Sequence, residues 1–295
     1  MFADLSSPWV IHLAQVIHQA TQRPFQIDRA TALSGGDINE AYQIQGSDQT
    51  YFVKLNRADR AFMFAAESHG LKDIADTKTI RVPQPICHGS FDRVSYLVLE
   101  HLELGRSGNA QQFELGQQLA RLHRASGSSA FGWSQDNTIG STPQPNPWTA
   151  NWAEFWQKHR IGYQLNLAQS RGGSFLQSEQ LLDRIPDLLK NHNPRPSLVH
   201  GDLWGGNAGA LRSGEPVIYD PAVYWGDREV DLAMTELFGG FSKPFYEGYN
   251  ATYPLEPGYH ERKTLYNLYH ILNHFNLFGS SYAGQANRMI QQLLA

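Results

Sequence analysis

The chain has 295 residues, of which 41% are hydrophobic and 18% charged, and its formal net charge is −4. This length and composition are typical of one large folded domain or two lobes, and they exclude a disordered protein. No basic cluster provides the electrostatic footprint of nucleic-acid binding, and no apolar run is long enough to cross a bilayer. The single cysteine, Cys87, excludes an intramolecular disulfide and a cysteine-based metal site. We therefore expect a cytoplasmic protein, monomeric and without nucleic-acid or membrane partners.

The first hundred residues predict a small α+β lobe. An amphipathic helix is expected to begin at Pro8, with Ser7 as its N-cap. Further along, hydrophobic patterning and turn residues predict these elements: β-rich runs at Phe25–Leu33 and Glu40–Gln45 around a turn at Ser34–Asp37, a strand at Tyr51–Asn56, a helix at about Asp59–Ala75, and a buried strand leading into a connector at Val94–Glu103.

Beyond this connector the pattern becomes mainly helical. Helices are predicted at about Ala110–Ser126, Trp148–Ala168, Ser178–Leu189, Glu229–Phe238, Pro257–Phe278 and Ala283–Leu294, whereas Gly127–Pro147 is rich in turn residues and predicts a surface loop. A β-rich lobe, a short connector and a helical lobe form a bilobal α+β plan. We expect residues 1–102 to form the nucleotide-binding N-terminal lobe and residues 103–295 the catalytic and substrate-binding C-terminal lobe.

The most informative stretch is LVHGDLWGGN, residues 198–207, which VIYD follows at residues 217–220. It places an acid, Asp202, after an apolar strand end, an amide, Asn207, five residues later, and a second acid, Asp220, behind another apolar run. The same Asp-to-Asn spacing occurs in the catalytic loop of protein kinases. The pattern predicts phosphoryl transfer, with Asp202 receiving the acceptor hydroxyl's proton and with Asn207 and Asp220 binding Mg²⁺ beside the phosphates of ATP.

The N-terminal lobe carries the candidate nucleotide-binding residues. Lys54 lies in the apolar strand YFVKL, where burial is costly unless phosphates and a carboxylate compensate its charge, and Glu67 on the next helix is the expected partner. The glycine pair Gly35 and Gly36 lies in a turn whose backbone N–H groups can close over phosphates, although SGGD is also a common generic turn. The connector, with Glu100, His101 and Leu102, is expected by its position to present backbone groups to adenine.

Five further side chains have predicted roles, in part with alternatives. Asp231 is interpreted as a structural acid that bonds the catalytic loop, with a solvated helix face as the alternative, and His200 as a brace for that loop. Trp204 lies two residues beyond Asp202 and is expected to stack on a sugar, with a core position as the alternative. His270 and His274 are spaced as helical metal ligands, but packing or a substrate pocket is favoured.

HGDLWGGN, YFVKLN, SGGDINEAY and GDREVDLAMTELFGGF together resemble the fructosamine/ketosamine 3-kinase family, over nearly the whole chain. That family belongs to the aminoglycoside-phosphotransferase-like branch of the protein-kinase-like superfamily. The resemblance implies ATP- and Mg²⁺-dependent phosphorylation of O-3 of a ketosamine, such as a fructosamine, ribulosamine or erythrulosamine adduct, in protein deglycation. Several members carry a redox-sensitive cysteine after the paired glycines. Asp37 stands there in this chain, so no disulfide regulation is expected at this loop.

Two alternatives remain open at the level of sequence. A small-molecule kinase of the aminoglycoside or choline type would use the same fold on another hydroxyl compound. A nucleotide-binding pseudokinase would bind ATP without turnover, although the complete set of Lys54, Glu67, Asp202, Asn207 and Asp220 argues against it.

Overall fold

The structure, a computed structural model, describes residues 4–33, 38–46, 49–125 and 127–295. Its N-terminal part is an antiparallel sheet with the strand order β1-β2-β3-β5-β4 and one helix on each face. The elements of this part are α1 (Pro8–Thr21), β1 (Arg29–Leu33), β2 (Glu40–Gly46), β3 (Gln49–Arg57), α2 (Ala61–Asp76), β4 (Pro85–Phe91) and β5 (Val94–Glu100). The candidate phosphate-loop glycines Gly35 and Gly36 lie outside the described residues.

The alternation of strand β3 explains how the sheet is covered. Val53 and Leu55 point to one face, where they form a core with Leu13 and Ile17 of α1. Lys54 therefore points to the opposite face, which turns toward α2 and the rest of the molecule. Helix α1 begins at Pro8 with Ser7 in the N-cap position, as predicted, but the Ser7 hydroxyl makes no capping bond.

The C-terminal part is mainly helical and packs around the larger of two hydrophobic cores. Its helices are α3 (Asn109–Arg124), α4 (Trp152–Trp156), α5 (Tyr163–Ser170), α6 (Ser178–Leu189), α7 (Glu229–Leu237), α8 (Lys243–Thr252), α9 (Tyr259–Phe278) and α10 (Ala283–Leu294). The short strands are β6 (Asn137–Ile139), β7 (Thr142–Gln144), β8 (Ser197–Val199), β9 (Ala208–Ala210), β10 (Pro216–Ile218) and β11 (Tyr224–Gly226). A β-rich first part and a helical second part confirm the predicted α+β class.

Two glycines allow α3 and α8 to pack in direct backbone contact. A Cβ atom on Gly116 of α3 would lie 2.0 Å from the Phe245 carbonyl oxygen, and one on Gly248 of α8 would lie 2.0 Å from that of Phe113. No side chain fits at these two positions. This close crossing brings Tyr249 of α8 within 2.8 Å of His123 on α3, beneath the catalytic loop.

Two predicted elements differ clearly from the structure in their bounds. The run at Phe25–Leu33 becomes a strand only at Arg29, because Phe25 and Ile27 instead anchor the chain in the core below α1. The predicted helix Trp148–Ala168 begins at Trp152, where the Asn151 side chain caps the helix by accepting from Glu154 N at 2.9 Å. A π-helical segment at Gln157–Gly162 then interrupts it. Helix α8 and strand β4 were not predicted.

The predicted surface loop at Gly127–Pro147 contains structure of its own. Strands β6 and β7 pair within it as a hairpin, with Ile139 opposite Thr142. Gly140 occupies the first position of the two-residue turn with φ of +62°, which favours glycine there. Buried side chains on one face of the hairpin attach it to the core, so it is an ordered element.

Candidate active site

The candidate catalytic loop follows strand β8 and is held from below by Asp231 of α7. The fully buried Asp231 carboxylate accepts hydrogen bonds from the backbone N–H groups of His200, at 2.7 Å, and Gly201, at 2.8 Å. His123 Nε2 lies 3.0 Å from the same carboxylate. The prediction that Asp231 bonds the catalytic loop is therefore confirmed, and the solvated-face alternative is wrong.

His200 braces the loop, as predicted. Its buried ring lies with Nε2 2.9 Å from the Tyr219 carbonyl oxygen, and the Asp202 backbone N–H donates to Nδ1 at 3.2 Å. A carbonyl oxygen can only accept, so Nε2 carries the proton and Nδ1 is the acceptor. The His200 ring therefore links Tyr219, the residue before Asp220, to Asp202.

The three oxygen-bearing side chains predicted from the sequence meet at one place. Asn207 Nδ2 donates to the Asp202 carbonyl oxygen at 2.9 Å, with longer contacts to Asp202 Oδ2 at 3.4 Å and the Asp220 carbonyl oxygen at 3.5 Å. These contacts fix the direction of the amide and leave its oxygen, Oδ1, as the available acceptor. Asp220 adopts a left-handed conformation with φ of +57°, which turns the chain sharply behind strand β10.

Lys54 connects the two halves of the site. Its Nζ atom lies 2.6 Å from Glu67 Oε1 on α2 and 2.7 Å from Asp220 Oδ1. The pairing with Glu67 was expected from the sequence, whereas the contact with Asp220 was not. Burial alone would lower the pKa of Lys54, but the two carboxylates outweigh it and the pKa is raised. The lysine is therefore charged.

Asp202 lies in the most unusual electrostatic position of the site. Burial raises the pKa of its carboxyl group to about 7, and the negative charges of Asp220 and Asp231 add to this effect. The hydrogen bond from Asn207 opposes the shift only in part. A carboxyl group with a pKa near neutrality can accept a proton during a reaction and release it afterwards.

The candidate residues line two adjoining cavities. One, of about 180 Å³, contains Lys54, Glu67, Asp202, Asn207 and Asp220. The other, of about 360 Å³, is mostly apolar and extends to the connector, with the following residues among its lining: Phe52, Pro83, Leu99, Glu100, Leu102, Leu104 and Tyr219. Asn207, Asp220 and Trp204 line both, so a long ligand can lie across them with a flat apolar end and a polar end.

Of the connector residues, Glu100 and Leu102 line the apolar cavity, but the Glu100 side chain has another role. Its carboxylate pairs with Arg81 and accepts from the Gln84 backbone N–H at 3.1 Å. His101 does not line either cavity, and burial lowers the pKa of its ring. The Glu100 backbone N–H also donates to the Gln84 carbonyl oxygen, at 2.9 Å.

Trp204 is 42% exposed and borders both cavities. The alternative interpretation of a core tryptophan is therefore wrong. Residues of the β6–β7 hairpin also line the polar cavity, namely Asn137, Thr138 and Gly140. Sequence reasoning missed them, although the turn residues at Gly140 and Ser141 between two short runs were a signal for a hairpin.

The donor set suits a divalent cation with hard oxygen ligands. Asn207 Oδ1 and the Asp220 carboxylate are adjacent, and Mg²⁺ in phosphotransferases needs few protein ligands because phosphate oxygens and waters supply the others. Elsewhere in the described part of the chain, His192, Asp227 and Glu229 could offer three ligand atoms. However, Arg262 binds Glu229 through two bonds of 2.7 Å and Tyr266 donates to Asp227, so this group is an internal ion-pair network.

His270 and His274 pack against aromatic side chains of the helical part. His270 is buried, which lowers the pKa of its ring to about 3, and His274 Nδ1 bonds the His270 carbonyl oxygen at 2.7 Å. The favoured interpretation as packing residues agrees with this arrangement.

Among the described residues no helix is long and apolar enough to span a membrane.

Comparisons with known proteins agree with this geometry. The family model described as fructosamine kinase matches residues 9–295. The chain is 56% identical over 288 residues to a protein of Synechocystis named "Probable ketoamine kinase", covering 98% of this chain and 97% of that one. It is 42% identical over 274 residues to the chloroplastic protein-ribulosamine 3-kinase of Arabidopsis thaliana, covering 91% of this chain and 83% of the other.

Solved structures of two other proteins also superpose on this chain. A crystal structure of a Haemophilus somnus protein named "Putative fructosamine-3-kinase" superposes with a TM-score of 0.91 at 35% identity, covering 96% of this chain and 97% of that chain. An aminoglycoside phosphotransferase bound to ADP and hygromycin B superposes with a TM-score of 0.64 at 14% identity, covering 95% and 98%, which shows a shared fold alone. These likenesses confirm the predicted bilobal protein-kinase-like fold.

Proposed function

The chain belongs to the fructosamine kinase family, and we propose that it is an ATP-dependent kinase that phosphorylates the 3-hydroxyl group of a ketosamine. The observation that carries this proposal is the meeting of Asp202, Asn207, Asp220 and Lys54 in one cavity beside an apolar cavity of nucleotide size. The ketosamine as acceptor is supported by the names of the relatives at 56% and 42% identity. Removal of sugar adducts from amines, free or protein-bound, is the process that such a reaction serves.

Each residue has a proposed role. Adenine lies in the apolar cavity and bonds the backbone of the connector at Glu100, His101 and Leu102, and the lobes divide after residue 102. Lys54, oriented by Glu67, binds the phosphates, and Gly35 and Gly36 cover them. Asn207 Oδ1 and the Asp220 carboxylate hold Mg²⁺, which when bound offsets the negative charge of the phosphates. Trp204 stacks on the acceptor sugar.

Asp202 is the proposed catalytic base. Its carboxylate accepts the proton of the attacking 3-hydroxyl group while that oxygen forms its bond to the γ-phosphorus and the bond from phosphorus to the ADP oxygen breaks. Asp231 and His200 hold the loop so that the carboxylate keeps its position. Because phosphoryl transfer depends mainly on positioning and electrostatics, these fixed contacts are the protein's main contribution.

An acceptor panel tests the function. The protein is incubated with ATP and Mg²⁺ and with one of four acceptors: ribulose-lysine, fructose-lysine, an aminoglycoside or choline. ADP formation above the acceptor-free rate is measured for each. We expect turnover with at least one ketosamine and background rates with the aminoglycoside and choline. Turnover on an aminoglycoside or choline but on neither ketosamine would establish the alternative small-molecule kinase, and nucleotide binding without turnover on any acceptor would establish a pseudokinase.

We further propose that the protein acts as a monomer in the cytoplasm. The smaller hydrophobic core lies within the N-terminal lobe, the larger one includes residues of both lobes, and the candidate residues of both lobes come from the same chain. Light scattering of the purified protein tests the first part, with a mass near 33.2 kDa expected.

A further inference from the structure

The β6–β7 hairpin is fixed to the catalytic centre by a buried polar network. Asn137 Nδ2 donates to the Val223 carbonyl oxygen at 2.8 Å, and Gln144 Nε2 donates to that of Ala222 at 3.1 Å. Gln144 also donates to Asn137 Oδ1 at 2.8 Å, and Asn146 donates to the same oxygen at 2.9 Å. Ala222 and Val223 lie two and three residues after Asp220 in the chain, so the hairpin has a set position relative to the candidate metal ligand.

The network continues into the C-terminal core. Tyr269 of α9 donates to Gln144 Oε1 at 2.6 Å, and Arg160 Nη2 donates to Asn146 Oδ1 at 2.7 Å. Arg160 is fully buried. Although Arg160 Nε has no hydrogen-bond partner, a buried network with this many bonds holds its members rigidly. The hairpin is therefore a preorganised wall, which is what a specific binding site requires.

The outer face of the hairpin places Thr138 at the polar cavity. Residues Asn137, Ile139, Thr142 and Gln144 point inward, and Thr138 lies on the opposite face and lines the polar cavity with Asp202. Gly140 lets the hairpin pack closely against residues of both lobes. A Cβ atom there would lie 2.9 Å from Ile38 Cδ1 and 3.0 Å from Leu277 Cδ1.

The Thr138 hydroxyl group also has unused hydrogen-bonding capacity. Among the hydroxyl and amide side chains of this cavity, Asn39 accepts from Asn56 at 2.7 Å, Asn137 belongs to the buried network, and Asn207 bonds the catalytic loop. Within the described residues the Thr138 hydroxyl group has no hydrogen-bond partner, and it is not buried. Neutral hydroxyl groups in a pocket of this kind are suited to bind the hydroxyl groups of a sugar.

We propose that Thr138 selects the acceptor by hydrogen bonding the 4-hydroxyl group of the ketosamine sugar, next to the 3-hydroxyl group that is phosphorylated. This inference rests on the proposed function and names a specificity-determining residue for it. The rigid hairpin positions the Thr138 hydroxyl group, and Asp202 lies in the same small cavity, so two neighbouring sugar hydroxyl groups are held together. A sugar without the 4-hydroxyl group would lose the contact made by Thr138.

The test compares Thr138→Val, which keeps the shape and removes the hydroxyl group, with Thr138→Ser, which retains it. We expect Thr138→Val to raise KM for the ketosamine about 5- to 20-fold, the scale of one lost hydrogen bond to a bound ligand, and Thr138→Ser to restore most of the loss. KM for the ketosamine should rise by a larger factor than KM for ATP. With a 4-deoxy ketosamine, wild type and Thr138→Val should behave alike.

Thr142→Val is the matched control. Thr142 belongs to the same hairpin, but its hydroxyl group is buried without a partner and does not line the cavity. This variant should keep the wild-type KM and a melting temperature at least equal to that of wild type, because it removes an unsatisfied polar group. Wild-type turnover on a ketosamine reports on the proposed function, and the ratio of Thr138→Val to wild type reports on this inference. An unchanged ketosamine KM in Thr138→Val, or a rise in KM for ATP instead, would overturn it.

Discussion

At the scale of single residues, the pKa of Asp202 is displaced from its ordinary value into the neutral range. Burial raises its pKa from 3.8 to about 7, with help from Asp220 and Asp231. Its proposed role requires the deprotonated form, so activity should depend on pH in the neutral range. The same perturbation should cost stability, because a buried carboxylate resists ionisation.

The pH dependence of kcat/KM for the ketosamine is the first prediction. Activity should fall as pH drops through about 7, with the slope of a single proton, because protonated Asp202 cannot accept the proton of the hydroxyl group. Asp202→Asn should lower turnover by two or more orders of magnitude, and its residual rate should be flat over this range. A midpoint near 7 that persists in Asp202→Asn would assign the titration to another group.

The stability of Asp202→Asn is the second prediction. The pKa of Asp202 is higher in the folded state than in the unfolded state, so ionisation opposes folding once the pH exceeds 3.8, and it does so fully above about 7. Asparagine cannot ionise. The variant should therefore have a higher free energy of unfolding than wild type at pH 8, by about 2 to 4 kcal/mol, and the difference should disappear below pH 4. Urea titrations at several pH values measure it, and a variant less stable than wild type at pH 8 would contradict the assignment.

At the scale of elements, the close crossing of α3 and α8 supports the catalytic loop. Tyr249 on α8 contacts His123 on α3, and His123 contacts the Asp231 carboxylate that holds the backbone of His200 and Gly201. The distance between two helices thus affects the position of a loop that neither helix contains.

Gly116→Ala provides the third prediction. The added methyl group would lie 2.0 Å from the Phe245 carbonyl oxygen, so the helices must separate, which should cost about 1 to 3 kcal/mol of stability and lower kcat more than it changes KM for ATP. Gly284→Ala in α10 is the control, because a Cβ atom there has its nearest contact at 3.6 Å, with Arg288 Nη1. That variant should retain wild-type stability and activity. Equal thermal unfolding of both variants would contradict the packing argument.

The sequence predicts the candidate site residues better than the elements, distant in the chain, that hold them in place. The Asp202-to-Asn207 spacing and the order of Lys54 strand, Glu67 helix and Asp220 are local or sequential signals, and the structure brings these residues together. Helix α8 was missed because its sequence, KPFYEGYNAT, has weak helix formers, and it is stabilised by packing on α3. The sequence predicts a loop at the hairpin because Asn137 and Gln144 are polar. Both side chains are nevertheless buried, and they form hydrogen bonds with partners distant in the chain.

At the scale of the whole molecule, the two lobes meet at the site, and each contributes charged side chains to it. Lys54 belongs to the sheet of the first lobe and Asp220 to the second, and their contact is 2.7 Å. A nucleotide placed between the lobes would insert phosphates near this pair. Binding should therefore stabilise the whole chain, and the effect should require residues from both lobes.

Stabilisation by nucleotide is the fourth prediction. A saturating mixture of ATP and Mg²⁺, at about 100 times its Kd, should add about 2.7 kcal/mol to the free energy of unfolding of wild type and raise its melting temperature. Lys54→Met and Asp220→Asn should lose most of this shift, and EDTA should remove it. Asp202→Asn should retain it, because its proposed role is in proton transfer rather than in binding. An equal shift in Asp220→Asn would contradict the proposed metal site.

The most direct measurement of the central claim is the ³¹P NMR spectrum of a reaction containing the protein, ATP, Mg²⁺ and ribulose-lysine or fructose-lysine. Wild type should produce ADP and a new phosphomonoester signal whose coupling assigns it to O-3 of the sugar. Asp202→Asn should still bind ATP. Under the same conditions it should produce neither ADP nor the phosphomonoester at a comparable rate. Formation of the 3-phosphate at the wild-type rate by Asp202→Asn, or ADP and inorganic phosphate without any phosphorylated ketosamine from wild type, would contradict the account.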